Sequence, residues 1–141
     1  MSDMFNGCSR LESLDLSYFK TKEVKIMNSM FCDCKSLKTL DLSELNTNNV
    51  ISMNKMFENC SSLTILNLSK FNTEKVIEKS EMFKGCSSLL YINVSSFNTS
   101  KVKTMYNMFY GCSSLTILYL SNFIIKSSTN VKSMFLVNVL L

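Results

Sequence analysis

Cysteines and carboxylates are the side chains of this 141-residue chain that could do chemistry, and five of its six cysteines are strictly spaced. Cys8, Cys34, Cys60, Cys86 and Cys112 recur every 26 residues, and Cys32 adds one Cys-Asp-Cys. Thiolates bind zinc or pair as disulfides, so both chemistries have to be weighed. With no histidine in the chain, a zinc site would need cysteines of neighbouring units to converge tetrahedrally, which a linear ladder does not provide. The five repeating cysteines are instead expected to face inward as small apolar side chains, with no metal and no cofactor. Cys32 shares its slot with Asn6, Glu58, Lys84 and Tyr110, so it is expected to be the exposed, reactive thiol.

Catalysis has as little to work with. The absence of histidine removes the usual general base. Asp15 and Asp41 occupy equivalent positions one repeat apart, where paired strands would hold them about 5 Å from one another. Such a pair could exchange protons. The same slot holds Asn67, Asn93 and Tyr119 further along, so a polar ladder on a solvated face is expected, and the chain is expected not to be an enzyme.

The elements that position these residues follow from one repeat. Met4-Phe5, Met30-Phe31, Met56-Phe57, Met82-Phe83, Met108-Phe109 and Met134-Phe135 keep the 26-residue period without slippage. A period between about 20 and 50 residues marks a solenoid, in which each unit buries its apolar face only by stacking on its neighbours. Leu63, Leu66 and Leu68 and their equivalents end in alternation, which predicts a short strand with one buried face and a core column of Leu14, Leu40, Leu66, Ile92 and Leu118. Val24, Met27, Met30, Phe31 and Cys34 share one face at helical spacing, which predicts a short helix. Thr21, Thr47, Thr73 and Thr99 would cap its start, and Gly7, Asp33, Asn59, Gly85 and Gly111 would stop it. The expected fold is therefore an α/β solenoid, a right-handed coil with a parallel sheet on one face and short helices on the other.

Length, 46% hydrophobic residues, no proline and three glycines point to one domain over residues 1–141 of about five repeats. It is expected to be a piece of a longer array, since the chain begins within a repeat and ends in the apolar run from Phe135 to Leu141. No stretch of about 18 uncharged apolar residues is present, and Met1 is followed by polar Ser2 and Asp3, so neither a membrane span nor a signal peptide is expected. The net charge of +4 conceals five lysines and no acid after residue 81, but these lysines form no run, and no nucleic-acid partner is expected.

The spacing of Leu63, Leu66, Leu68 and Phe71 resembles a leucine-rich repeat. Met108-Phe109, Gly111-Cys112-Ser113-Ser114-Leu115, Leu118, Leu120-Ser121 and Phe123 narrow this, because the unit resembles the 26-residue repeat of BspA-like (bacterial surface protein A-like) proteins. That resemblance covers nearly the whole chain and implies display at the cell surface or secretion, with adhesion to host or matrix proteins. Lys79 in the slot of Met27, Met53 and Met105, Leu45 in a phenylalanine slot, and Ile124-Ile125 in place of Asn-Thr depart from the unit.

The outward side of the strands is the surface that could carry function. One column runs Ser13, Thr39, Ile65, Tyr91, Ile117, the next Asp15, Asp41, Asn67, Asn93, Tyr119, so polar character gives way to apolar and aromatic. Ile65, Tyr91, Ile117 and Tyr119, with Asn67 and Asn93 beside them, form the expected protein-binding patch, chance drift along the columns being the alternative. The constant serine column from Ser17 to Ser121 is expected to bond backbone at the strand exit. The expected function is a non-catalytic protein-binding module of adhesion type; an intracellular scaffold, or end-to-end self-association through Phe135 to Leu141, are the alternatives. Export in a eukaryote would open Asn59, Asn67, Asn93 and Asn98 to glycosylation, and glycans at Asn67 and Asn93 would cover the patch.

Overall fold

The computed structural model describes residues 1–135, and within them successive 26-residue units lie on one another in register. Each phenylalanine of the Met-Phe pairs stacks on the next: Phe5, Phe31, Phe57, Phe83, Phe109 and Phe135 have centroids 5.3 to 5.8 Å apart and ring planes within 18°. Parallel bridges link Ile26, Ser52, Glu78, Thr104 and Asn130 in sequence, each 26 residues from the last. A second backbone pairing lies about half a turn away, where strand β1 (Ile65–Asn67) runs parallel to strand β2 (Tyr91–Asn93) with Leu66 opposite Ile92.

The expected α/β solenoid is not what forms. Among the described residues there is no α-helix, and two three-residue strands make the whole sheet where five strands were expected. The segment predicted as a helix is a run of β-turns. Ser29 and Asp33, and their equivalents Lys55 with Asn59, Glu81 with Gly85 and Asn107 with Gly111, all have left-handed φ, which no continuous right-handed helix accommodates. The amides follow suit. Met27, Ser29, Phe31 and Asp33 donate to the carbonyls of Ser52, Asn54, Met56 and Glu58 in the next turn at 2.8 to 3.1 Å, so the ladder between turns takes the donors a helix would use within itself. A left-handed non-glycine residue costs about 1 kcal/mol, which the ladder bond it permits offsets.

The threonines expected as helix caps do something else. Thr21 Oγ1 donates to the Asn46 carbonyl at 3.0 Å and accepts from the Asn46 amide at 2.8 Å. Thr47 bonds Asn72, Thr73 bonds Asn98 and Thr99 bonds Ile124 in the same way. These four hydroxyls are buried, so each ties one turn to the next inside the stack, where both of its hydrogen bonds are protected from water.

The strands are short because a side chain turns the backbone immediately after them. Asn67 Oδ1 accepts from the Ser69 amide at 3.1 Å and Asn93 Oδ1 from the Ser95 amide at 3.0 Å, the local competition that makes Asn and Asp strand-ending residues. The core fills the space between the two pairings. Leu66 and Leu118 are fully covered, Leu40 and Ile92 nearly so, and Leu14 in the first turn only partly.

Candidate functional site

Alternation in β1 and β2 turns Ile65 and Tyr91 outward while Leu66 and Ile92 enter the core. Their register makes Ile65 and Tyr91 direct neighbours, at the roughly 4.8 Å spacing of paired strands. Ile65 is 59% exposed, Tyr91 52%, Ile117 55% and Tyr119 78%. Leu90, which sequence reasoning passed over, is 61% exposed beside Tyr91 and extends the apolar surface. Tyr91 and Tyr119 wall a recess of about 260 Å³ whose other side is Asn93, Ser95, Ser121 and Asn122. Five of the six expected site residues thus present side chains to solvent, and Asn93 is half-buried. Asn67 and Asn93 lie in the same strands, but their Oδ1 atoms already accept from the amides of Ser69 and Ser95, which holds the side chains against the turns and makes their amide N–H groups the main donors to a partner.

Asp15 and Asp41 are committed in the same manner. Asp15 Oδ1 accepts from the Ser17 hydroxyl at 2.7 Å and its amide at 2.9 Å, and Asp41 Oδ1 from the Ser43 amide at 2.9 Å. These bonds hold both carboxyls below the usual carboxylate range, since each bond favours the charged acceptor. Ser17, Ser43, Ser69 and Ser95 are therefore bonded chiefly through their amides, with the Asp or Asn side chain two residues earlier as acceptor rather than backbone; Ser121, which follows Tyr119 in the same spacing, lacks that acceptor.

The thiols fall into a column behind the phenylalanines. Cys34, Cys60, Cys86 and Cys112 donate Sγ–H to the carbonyls of Phe5, Phe31, Phe57 and Phe83 at 3.1 to 3.2 Å. All are free and buried. Burial pushes the Cys34 thiol up to about 11 and that of Cys112 to about 12, and raises those of Cys60 and Cys86 well above the ordinary range. Cys32 contradicts its expectation, because it is buried and Cys8, in the first turn, is exposed. Burial, followed by the charges of Asp33 and Glu58, drives the Cys32 thiol to about 12, and its Sγ lies 3.5 Å from Asp33 Oδ2. Brief alkylation of the native protein followed by mass spectrometry will therefore modify Cys8 first and Cys32 slowly, since the thiolate is the nucleophile. Equal labelling of Cys8 and Cys32 would show that the Cys32 side of the stack is open. Among the described residues no group of three or more His, Cys, Asp or Glu is placed to hold a metal, and no helix is long and apolar enough to cross a membrane.

Sequence reasoning missed one charged feature and named another without inferring its burial. Lys55 meets Glu81 at 3.1 Å and Glu58 meets Lys84 at 2.9 Å, each pair one repeat apart, with Lys84 also 2.9 Å from Glu81. The signal was present as opposite charge at equivalent slots in adjacent turns. The other is Lys79, whose side chain is fully buried. Its Nζ reaches the Asn98 carbonyl at 3.3 Å and sits 4.4 Å from the Phe97 ring centroid, with no carboxylate partner among the described residues, and desolvation lowers its pKa to about 7.

The model of a family described as "Mycoplasma protein of unknown function, DUF285" matches residues 1–89 and again 36–139, overlapping stretches of the kind a repeated unit permits. No curated protein and no solved structure matches the chain.

Proposed function

Because the chain belongs to this DUF285 family, whose description assigns no activity, we propose from its own surface that it is a non-catalytic module that binds a protein partner through the face carrying Ile65, Tyr91, Ile117 and Tyr119. One observation carries this. Two isoleucines and two tyrosines, each more than half exposed, lie on one side of the stack, and the two tyrosines line a recess there. Contiguous apolar and aromatic side chains that are easily desolvated are the usual centre of a protein interface. The resemblance of the 26-residue unit to BspA-like repeat proteins supports placing that partner among matrix or cell-surface proteins, with this chain displayed on a surface or secreted.

The test is binding of the soluble chain to immobilised extracellular-matrix preparations. Tyr91→Ala and Tyr119→Ala will each weaken binding by about thirtyfold, the equivalent of roughly 2 kcal/mol for an aromatic anchor, while Ser13→Ala in the polar part of the same column will leave it unchanged. Loss with Ser13→Ala and retention with both tyrosine variants would refute the assignment. Sedimentation of the same variants excludes self-association as the source of the signal. The expected end-to-end contact through Phe135 to Leu141 falls almost wholly outside the described residues.

A further inference from the structure

We propose that a second, polar groove beside the tyrosine face binds a neutral saccharide of one or two rings. The groove is an open depression of about 540 Å³ lined by Asn72, Glu74, Ser95, Asn98, Ser121 and Ile124 among others, within the size range of small-molecule sites. It lies where three consecutive turns meet, because Asn72, Asn98 and Ile124 occupy equivalent positions one repeat apart. The Ile124 side chain, 52% exposed, interrupts the asparagine ladder and gives the groove one apolar wall.

The chemistry of the lining selects the ligand. The Oδ1 atoms of Asn72 and Asn98 are taken by the amides of Glu74 and Ser100, which fixes both side chains and aims the role of donor at their Nδ2 groups. Among the described residues those two Nδ2 groups, the Glu74 carboxylate and the hydroxyls of Ser95 and Ser121 make no hydrogen bond within the protein. The set thus offers donors, acceptors and groups that are both, side by side. A ring of hydroxyls, each one donor and two acceptors, satisfies such a mixture, and its C–H face suits Ile124. No lysine or arginine lines the groove, so a phosphate or carboxylate ligand would meet Glu74 without a compensating cation.

This site is distinct from the tyrosine face, although the two depressions share Ser95, Ser121 and Asn122. The test is an NMR titration of the whole chain with maltose, lactose and diacetylchitobiose, with sialyllactose as the anionic control. At about 10 mM a ligand with a Kd of 1 mM would be nine-tenths bound. The expected result is saturable shifts of the Asn72 and Asn98 side-chain amides with at least one neutral disaccharide, weaker binding of sialyllactose, and a tenfold or larger loss in Glu74→Ala, from which an exposed carboxylate acceptor has been removed. Glu74→Ala keeps full binding to matrix protein, whereas Tyr91→Ala keeps the saccharide, so either site can fail alone. Absence of saturable shifts with all three neutral sugars, or shifts that survive Glu74→Ala, overturns the proposal.

Discussion

Lys79→Met stabilises the protein at pH 7 by roughly 3 kcal/mol or more and removes a rise of stability with pH that the natural chain shows. The side chain is fully buried in the slot that Met27, Met53 and Met105 fill in other turns, so methionine restores a shape the stack already accommodates. In the unfolded chain the amine holds its proton up to about 10.5, in the folded protein only to about 7. Between these values the unfolded state binds more protons, so stability rises with pH; below 7 both states are charged and this contribution is constant at its lowest. The Asn98 carbonyl and the Phe97 ring favour the charged form and offset part of the cost of burying it. The buried thiols act oppositely, because their raised pKa values cost stability once pH passes the ordinary thiol value of 9.0. The thiols are common to both proteins, so urea titration at pH 7 and 8.5 isolates the lysine in the difference between them: the natural chain gains up to about 2 kcal/mol relative to Lys79→Met over that interval. Equal slopes in the two proteins would mean that Lys79 finds water or a partner.

Phe57→Ala destabilises by about 3 to 5 kcal/mol, whereas Phe5→Ala costs much less. Phe57 is fully buried and sandwiched between Phe31 and Phe83 at 5.6 and 5.8 Å, so truncation opens a void and breaks two stacked contacts. Phe5 has one neighbour in that column, Phe31, and lies partly exposed in the first turn. Leu66→Ala, at the centre of the opposite wall, belongs in the same series at about 2 to 5 kcal/mol. Denaturant titration of the three variants checks the order. Equal, small losses at Phe57 and Phe5 would mean that the turns do not share one continuous column.

The period and the buried columns were legible in the sequence because, in a stack held in register, a slot that repeats its residue type repeats its environment. Leu66, Phe57 and Cys60 needed no more than that. The helix was misread for a physical reason. Buried residues spaced like Met27, Met30, Phe31 and Cys34 fit one face of a helix, yet successive turns with left-handed corners produce the same spacing. Half of that signal was visible in Asp33, Asn59 and the glycines, which were taken as helix stops; the other corner, at Ser29, Lys55, Glu81 and Asn107, is announced by residue type at Asn107 but not at Ser29, Lys55 or Glu81. The threonine column was constant for a reason that lies between turns, where caps were sought within one. Cys32 failed because its slot mixes exposed and buried members, from Tyr110 to Glu58, and slot equivalence decides burial only when the neighbouring side chains are alike. At the site, alternation alone was sufficient to expose Ile65, Tyr91, Ile117 and Tyr119, but not to reveal that Asn67 and Asn93 spend their carbonyl oxygens on turns.

The most direct measurement of the functional account is oxidative footprinting of the five tyrosines with and without a bound matrix protein. Tyr18 is 86% exposed in a turn near the start of the stack, Tyr106 and Tyr110 lie on the turn side, and Tyr91 and Tyr119 form the proposed face. Bound partner will protect Tyr91 and Tyr119 and leave Tyr18, Tyr106 and Tyr110 as reactive as in the free chain; protection of Tyr106 and Tyr110 with Tyr91 and Tyr119 unchanged would contradict the account.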